Sequence, residues 1–381
     1  MIGLKCGRIV LEDRLLDGFV YIQGDRICAV CEDALPCEEI YDFTGGILAP
    51  GFVDIHTHGA GGCSFSNSSP EAVLTACHTH LRHGTTTIFP TISTAAIGDM
   101  ERSLRNIAAA RKMPELRNRV PGVHMEGPYL SPKQCGAQNS SNITPPVKED
   151  YVNLVEQYPR EIARWTYAPE QDPEGTFCAF LMENGILPSV GHSDATYEQL
   201  APAVDAGCKL VTHLYSATST VTRQLGYRQL GVIETAYLRD DIAVEIIADG
   251  HHLPPELIRM IVKIKGVDRV AAVTDSLYPA GTDLKEGCTD GVSFLVEGGV
   301  CRLPDRSAFA GSIATADRLL QVLHRDCGIE LTQAVKMLTA VPARIMGLAV
   351  GLIAQGKPAD LVLLDENLQA QAVFVGGKKV S

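Results

Sequence analysis

The residues that could do chemistry in this sequence stand at the ends of short apolar runs. Gly51-Phe52-Val53-Asp54-Ile55 leads directly into His56-Thr57-His58-Gly59. In an extended strand, residues i and i+2 share a face, so the two imidazoles can converge on one point. A second run ends in His124-Met125-Glu126-Gly127-Pro128, which places a carboxylate as a hard ligand or an acid/base group. Others end in Gly191-His192-Ser193-Asp194, in Thr212-His213-Leu214 and in Thr274-Asp275-Ser276. One such residue alone is usually a satisfied core or surface group. His56, His58, Glu126, His192, His213 and Asp275, gathered at five run ends, point to a metal centre. His78-Thr79-His80 has the same spacing but lies in a stretch of helical period, where i and i+2 diverge, and is read as having no chemical role.

Imidazole and carboxylate donors without thiolate suit zinc first, with Fe2+, Co2+ or Mn2+ as alternatives. Such an ion activates water and polarises a carbonyl oxygen. Asp275 at the last run end can then take the water proton and return it to a leaving group. That combination is hydrolysis of an amide or a related bond.

Bringing these side chains to one rim requires parallel strands. Strand candidates begin near Phe52, Thr86, Val120, Arg164, Ile186, Lys209, Ile242 and Val270, and amphipathic stretches such as 70–83, 100–111, 196–207 and 254–265 lie between them. Eight β-α units over about 300 residues make an α/β fold of the (β/α)8 TIM-like barrel kind, with its site at the C-terminal strand ends. The chain opens with short β-like runs at 8–11, 18–22 and 26–30 and closes with others at 360–364 and 372–375. Neither end can bury a core alone. The expected organisation is therefore a small β-sandwich domain from 1–51 and 348–381, with the barrel over 52–347.

Composition bounds the function. The 381 residues carry 33 Lys+Arg against 45 Asp+Glu, a net charge of −12, with 45% hydrophobic residues. That apolar content excludes global disorder. The acidic balance, without any basic block, argues against nucleic acid as the main partner, although a few local cations can still hold one phosphate. There is no apolar signal region near the N-terminus and no apolar run of the roughly 18 residues a membrane span needs, so a cytoplasmic protein is expected. The twelve cysteines are then reduced thiols. Cys28-Ala29-Val30-Cys31 has no second pair and is given no metal or redox role.

At these residues the chain also resembles known proteins. Pro50 to Gly59 resembles the entry motif of the amidohydrolase superfamily. Together with His124 to Tyr129, Gly191 to Ala195, Thr212 to Tyr215, Ala248-Asp249-Gly250 and Val273-Thr274-Asp275, it resembles the N-acetylglucosamine-6-phosphate deacetylase family. The likeness covers nearly the whole chain, including the tail from Gly351 to Gly377. It implies a metal-dependent deacetylase of amino-sugar catabolism. The partner would be a phosphorylated N-acetyl amino sugar, the metal one or two divalent ions per subunit, and the assembly a homodimer in which a loop of one subunit reaches the other's phosphate site. By the same resemblance, Glu126, His192 and His213 hold the main metal and His56 and His58 a second. Asp275 is the general base and then the acid, and His252 contacts substrate. Ala137, Gln138, Ser216, Ala217, Phe309, Ala310 and Gly311 line the sugar site, and Arg223 contacts phosphate, with Arg228 as its substitute.

The sequence departs from that pattern in the substrate shell. Ser216 stands where the family usually has Asn, Gln138 where it usually has His, and Arg223 heads a turn one residue out of register. Two other readings of the resemblance are a deacetylase of another sugar, such as N-acetylgalactosamine 6-phosphate, and a cyclic-amide hydrolase. The latter needs a lysine on the fourth strand, where this chain has Arg164-Trp165-Thr166-Tyr167. A non-catalytic scaffold would be expected to have lost ligands, and none is lost here.

Overall fold

The computed structural model describes all 381 residues. Eight parallel strands follow one another around a barrel: Phe52–Thr57, Thr85–Ile92, Val123–Glu126, Ile162–Tyr167, Leu187–Val190, Leu210–Val211, Ala243–Ile247 and Val270–Val273. Each is hydrogen-bonded to the next. Between the eighth and the first, the gap is bridged just beyond the strand ends. Asp275 N donates to His56 O at 2.9 Å, and His58 N to Ser276 O at 2.9 Å. The closure therefore lies among the residues singled out for chemistry.

Alternation along the first strand separates two environments. Val53 and Ile55 belong to a buried apolar cluster that also holds Val341 and Ala343 of the helix Ala340–Ile345. Asp54 and His56, between and beyond them, are buried polar groups, and Asp54 accepts from Thr274 Oγ1 at 2.6 Å. The helices between strands begin where local chemistry favours it. Ser69 Oγ accepts from Ala72 N at 3.3 Å ahead of Pro70–Arg82, and Gln199 Oε1 reaches back to Thr196 N at 2.9 Å at the start of Tyr197–Ala206. The first of these helices carries His78 and His80. His80 is buried, and its Nε2 lies 3.0 Å from Thr57 Oγ1 and 3.2 Å from Gly59 O. Burial holds this ring down at about 4, so it packs as a neutral group that steadies the turn after His58.

The two chain ends share one eight-stranded sheet. Ile47–Pro50 pairs with Leu361–Leu364, Val362 lying opposite Ala49, and thereby joins the N-terminal strands to the C-terminal ones. The sheet is mixed, because Ile2–Val10 pairs in parallel with both Glu39–Asp42 and Ile47–Pro50. Leu4, Ile9, Val20, Ile22, Leu361 and Phe374 are in its own apolar core. No helix is long and apolar enough to cross a membrane.

A further sheet follows the eighth strand. Glu286–Thr289, Val292–Glu297, Val300–Arg302 and Phe309–Ser312 form a four-stranded antiparallel unit that contributes one wall of the cavity described next. Phe309, Ala310 and Gly311, which the resemblance assigns to the sugar site, lie in its last strand.

Candidate active site

Three of the strand-end residues turn sharply. His192, His213 and Asp275 have φ values of 47°, 30° and 46°, a region that L-residues with side chains adopt at a cost. The turn carries each side chain across the barrel mouth instead of leaving it along the strand. There they meet His56, His58 and Glu126.

The six groups pack closely. His56 Nε2 and His58 Nε2 are 3.3 Å apart, and Glu126 lies 3.4 Å from the first and 3.3 Å from the second. The oxygen nearest His56, Glu126 Oε1, is also 3.0 Å from His213 Nε2 and 3.3 Å from His192 Nε2, which are themselves 3.2 Å apart. Two three-residue groups result, His56-His58-Glu126 and Glu126-His192-His213, and Glu126 belongs to both. Asp275 Oδ1 lies 3.4 Å from His56 Nε2 and 3.2 Å from His58 Nε2.

This donor set fits a divalent cation. Three of the rings use the other nitrogen to hold their orientation: His56 Nδ1 faces Glu245 Oε2 at 3.3 Å, His58 Nδ1 faces Ser93 Oγ at 3.0 Å, and His192 Nδ1 donates to Gln134 O at 2.9 Å. Their Nε2 atoms are thus directed at the centre, where His213 Nε2 meets Glu126 and His192. Nitrogens bound to one zinc at about 2.0–2.1 Å in a tetrahedron would lie about 3.3 Å apart, close to the separations found. The site also demands positive charge. Burial works against protonated His56 and His58, yet Asp275 and Glu126 outweigh it and hold the rings up at about 10 and about 9. Burial likewise opposes ionised Glu126, but the neighbouring imidazoles hold it well below the usual carboxylate range.

Beneath the rim lies a pair that sequence reading did not single out. Arg164 and Glu245 are fully buried and ion-paired in the barrel interior, and Arg164 also donates to Ser189 Oγ at 2.9 Å and to Thr212 Oγ1 at 2.7 Å. Glu245 Oε2 faces both His56 Nδ1 and His213 N, so the pair braces both three-residue groups from below. Replacing Arg164 with Met strands a buried carboxylate and is expected to destabilise the fold by about 3–5 kcal/mol. The double variant with Glu245→Gln should recover part of that loss. Chemical denaturation of the two variants checks this, and equal stabilities would remove the ion pair as the cause.

The rim opens into a cavity of about 460 Å³. Ala137, Gln138, Ser216, Ala217, His252, Phe309, Ala310 and Gly311 all line it, together with His58, Glu126, His192, His213 and Asp275. His252 is held by Asp249, whose Oδ2 lies 2.8 Å from His252 Nδ1, and its ring packs 4.9 Å from that of Phe309. The amide of Gln138 is already engaged. Its Nε2 donates to Glu126 Oε2 at 2.6 Å and its Oε1 accepts from Thr94 N at 3.0 Å, so it orients a carboxylate of the centre.

Arg223 stands apart from these lining residues. It does not reach the cavity of its own chain, nor does Arg228. Both are on the exposed hairpin Thr222–Gln224 and Tyr227–Gln229, whose tip holds Leu225 at 94% exposure and Tyr227 at 79%. Local pattern aligns the arginine with a phosphate contact; within its own chain the hairpin borders the neighbouring cleft, which Thr222, Gln224 and Gln229 line.

A (β/α)8 barrel with this ring of histidines and carboxylates defines a metal-dependent hydrolase. The chain belongs to the amidohydrolase family, whose sequence profile matches residues 47–380. Within that family, it is 30% identical to the N-acetylglucosamine-6-phosphate deacetylase of Lysinibacillus sphaericus, over 88% of this chain and 86% of that protein. It is also 30% identical to the N-acetylgalactosamine-6-phosphate deacetylase of a Shewanella species, over 89% and 84%. Among solved structures, it is similar to the N-acetyl-D-glucosamine-6-phosphate deacetylase of Mycobacterium smegmatis, an aspartate-to-alanine mutant in complex with N-acetyl-D-glucosamine-6-phosphate. The TM-score is 0.93 at 30% identity, covering 99% of this chain and 98% of that one.

Proposed function

We propose that the protein hydrolyses the acetamide of N-acetylglucosamine 6-phosphate to glucosamine 6-phosphate and acetate, as a step in amino-sugar catabolism. The observation that carries this reading is the complete ring of Glu126, His56, His58, His192, His213 and Asp275 at the floor of a sugar-sized cavity. Similarity at a TM-score of 0.93 to a deacetylase in complex with that sugar supports the substrate.

Glu126, His192 and His213 would hold one divalent ion, and His56 and His58, with Glu126 shared, a second. Zinc suits these donors best. When bound, the ion supplies Lewis-acid polarisation of the amide carbonyl and lowers the pKa of water. Asp275 moves the protons. Burial opposes its ionised form, but His56 and His58 hold its carboxyl down at about 2, so it stands ionised at neutral pH and ready to accept the proton of the attacking water. It then delivers that proton to the sugar nitrogen as the C–N bond breaks. His252, fixed by Asp249, presents its free nitrogen to the bound sugar, and Phe309 walls one side.

We read the assembly as a cytoplasmic homodimer. The projecting hairpin, with Leu225 and Tyr227 bare and Arg223 and Arg228 outside their own cavity, is suited to reach a second copy's phosphate site. The equal identity to an N-acetylgalactosamine-6-phosphate deacetylase makes that sugar the second reading. Acetate release from N-acetylglucosamine and N-acetylgalactosamine, each with and without 6-phosphate, separates them. Strong preference for N-acetylglucosamine 6-phosphate is expected. Preference for the galacto sugar would transfer the assignment to it, and release from none, with metal bound, would overturn both.

A further inference from the structure

We infer that Lys133 holds the anionic end of the substrate within each chain and so sets the preference for a phosphorylated over an unphosphorylated sugar. The inference rests on the amino-sugar reading above.

Lys133 is the one Lys or Arg that lines the cavity, whose walls also carry Glu126, Asp275 and Asp290. Glu126 and Asp275 are matched by the imidazoles of the centre, which leaves Asp290 as the acidic wall residue away from it, and a dianion at that end of the cavity gains from a cation that faces it. Arg223 and Arg228 do not supply that cation from their own chain. Lys133 also borders the neighbouring polar cleft, with Asp194 and Thr220. It thus stands where the cavity opens to the surface, away from the metal-ligand floor.

Its backbone is tied to that floor. Lys133 lies in the short turn Pro132–Gln134, where Ser131 N donates to His192 O at 2.8 Å and Gln134 O accepts from His192 Nδ1 at 2.9 Å. The lysine and a candidate metal ligand are therefore held by the same stretch of chain, which fixes the span from anchor to reacting centre.

The ammonium is ready to exchange partners. Lys133 Nζ lies 3.0 Å from Asp194 Oδ2, with the lysine side chain 78% exposed. Exposed pairs of this kind contribute little, so a phosphate can displace the carboxylate. Asp194 stays in place through its other oxygen, which accepts from Gln134 Nε2 at 3.1 Å.

The test compares wild type, Lys133→Gln and Lys133→Arg as zinc-loaded full chains. Each is assayed on N-acetylglucosamine with and without the 6-phosphate, and with inorganic phosphate as a competing ligand. Loss of one charge-assisted contact should raise KM for the phosphorylated sugar about 10- to 100-fold in Lys133→Gln, with kcat changed little because a remote anchor binds ground and transition states alike. Inhibition by phosphate should weaken by a similar factor, kcat/KM for the unphosphorylated sugar should stay constant, and Lys133→Arg should restore most of the effect. An unchanged KM and phosphate inhibition in Lys133→Gln, or equal losses on both sugars, would overturn the inference. A wild-type protein that releases acetate from neither sugar would instead sink the amino-sugar reading itself.

Discussion

Replacing Asp275 with Asn is expected to lower kcat on N-acetylglucosamine 6-phosphate by about 10²- to 10⁴-fold, the range associated with a positioned proton-transfer group. Asn keeps the shape of the side chain but cannot take a proton from water. The backbone at this position does not depend on the carboxylate. Asp275 N is bound to His56 O, and Asp275 O accepts from Ser312 N at 3.0 Å, so the barrel closure survives the change. Metal content, measured by elemental analysis on the same sample, separates two roles. Unchanged metal with lost turnover identifies the proton carrier. Metal lost in step with turnover would make Asp275 chiefly a ligand, which its 3.2 Å and 3.4 Å approaches to His58 and His56 also permit.

Replacing Glu126 with Ala should have a different signature, because this carboxylate belongs to both three-residue groups. Loss of an outer-shell partner already weakens metal binding about 10- to 100-fold, so removing the shared ligand should exceed about 100-fold and bring turnover to background. Stability supplies a second readout. A ligand that binds only the folded state stabilises it by about 4 kcal/mol at 1,000 times its Kd. Added zinc should therefore raise the Tm of the wild type and leave that of Glu126→Ala unmoved. A variant that still melts higher with zinc would show that the histidines bind the ion without Glu126, and the bridging role would be lost.

The two predictions differ in what the sequence contributed to them. His56-Thr57-His58 could be placed on one face because side chains alternate strictly along a strand, and the 3.3 Å separation of the two Nε2 atoms is the outcome of that local rule. The same rule set His78-Thr79-His80 aside as a metal pair, since helical spacing turns the rings apart. It could not foresee that His80 would be buried against Thr57 and Gly59, because docking of a helix on a strand end is not a property of either segment. Asp194 was legible as a neighbour of His192, but its pairing with Lys133 needs two loops brought together from 61 residues apart.

Residue types and their positions at strand ends determined the barrel, the donor set and the class of reaction. Those features follow from short-range periodicity and from ligand chemistry, which a linear sequence contains. The tertiary structure alone decided which groups brace and surround the centre. Arg164 and Glu245 are 81 residues apart and meet only inside the closed barrel. The four-stranded sheet over 286–312 takes its place as a cavity wall through contacts distant in the chain. Arg223, aligned by pattern with a phosphate contact, stands on an exposed hairpin outside its own chain's cavity. A motif specifies what a side chain can do, whereas the direction of a hairpin or the partner of a buried charge is set by long-range packing that no local spacing encodes.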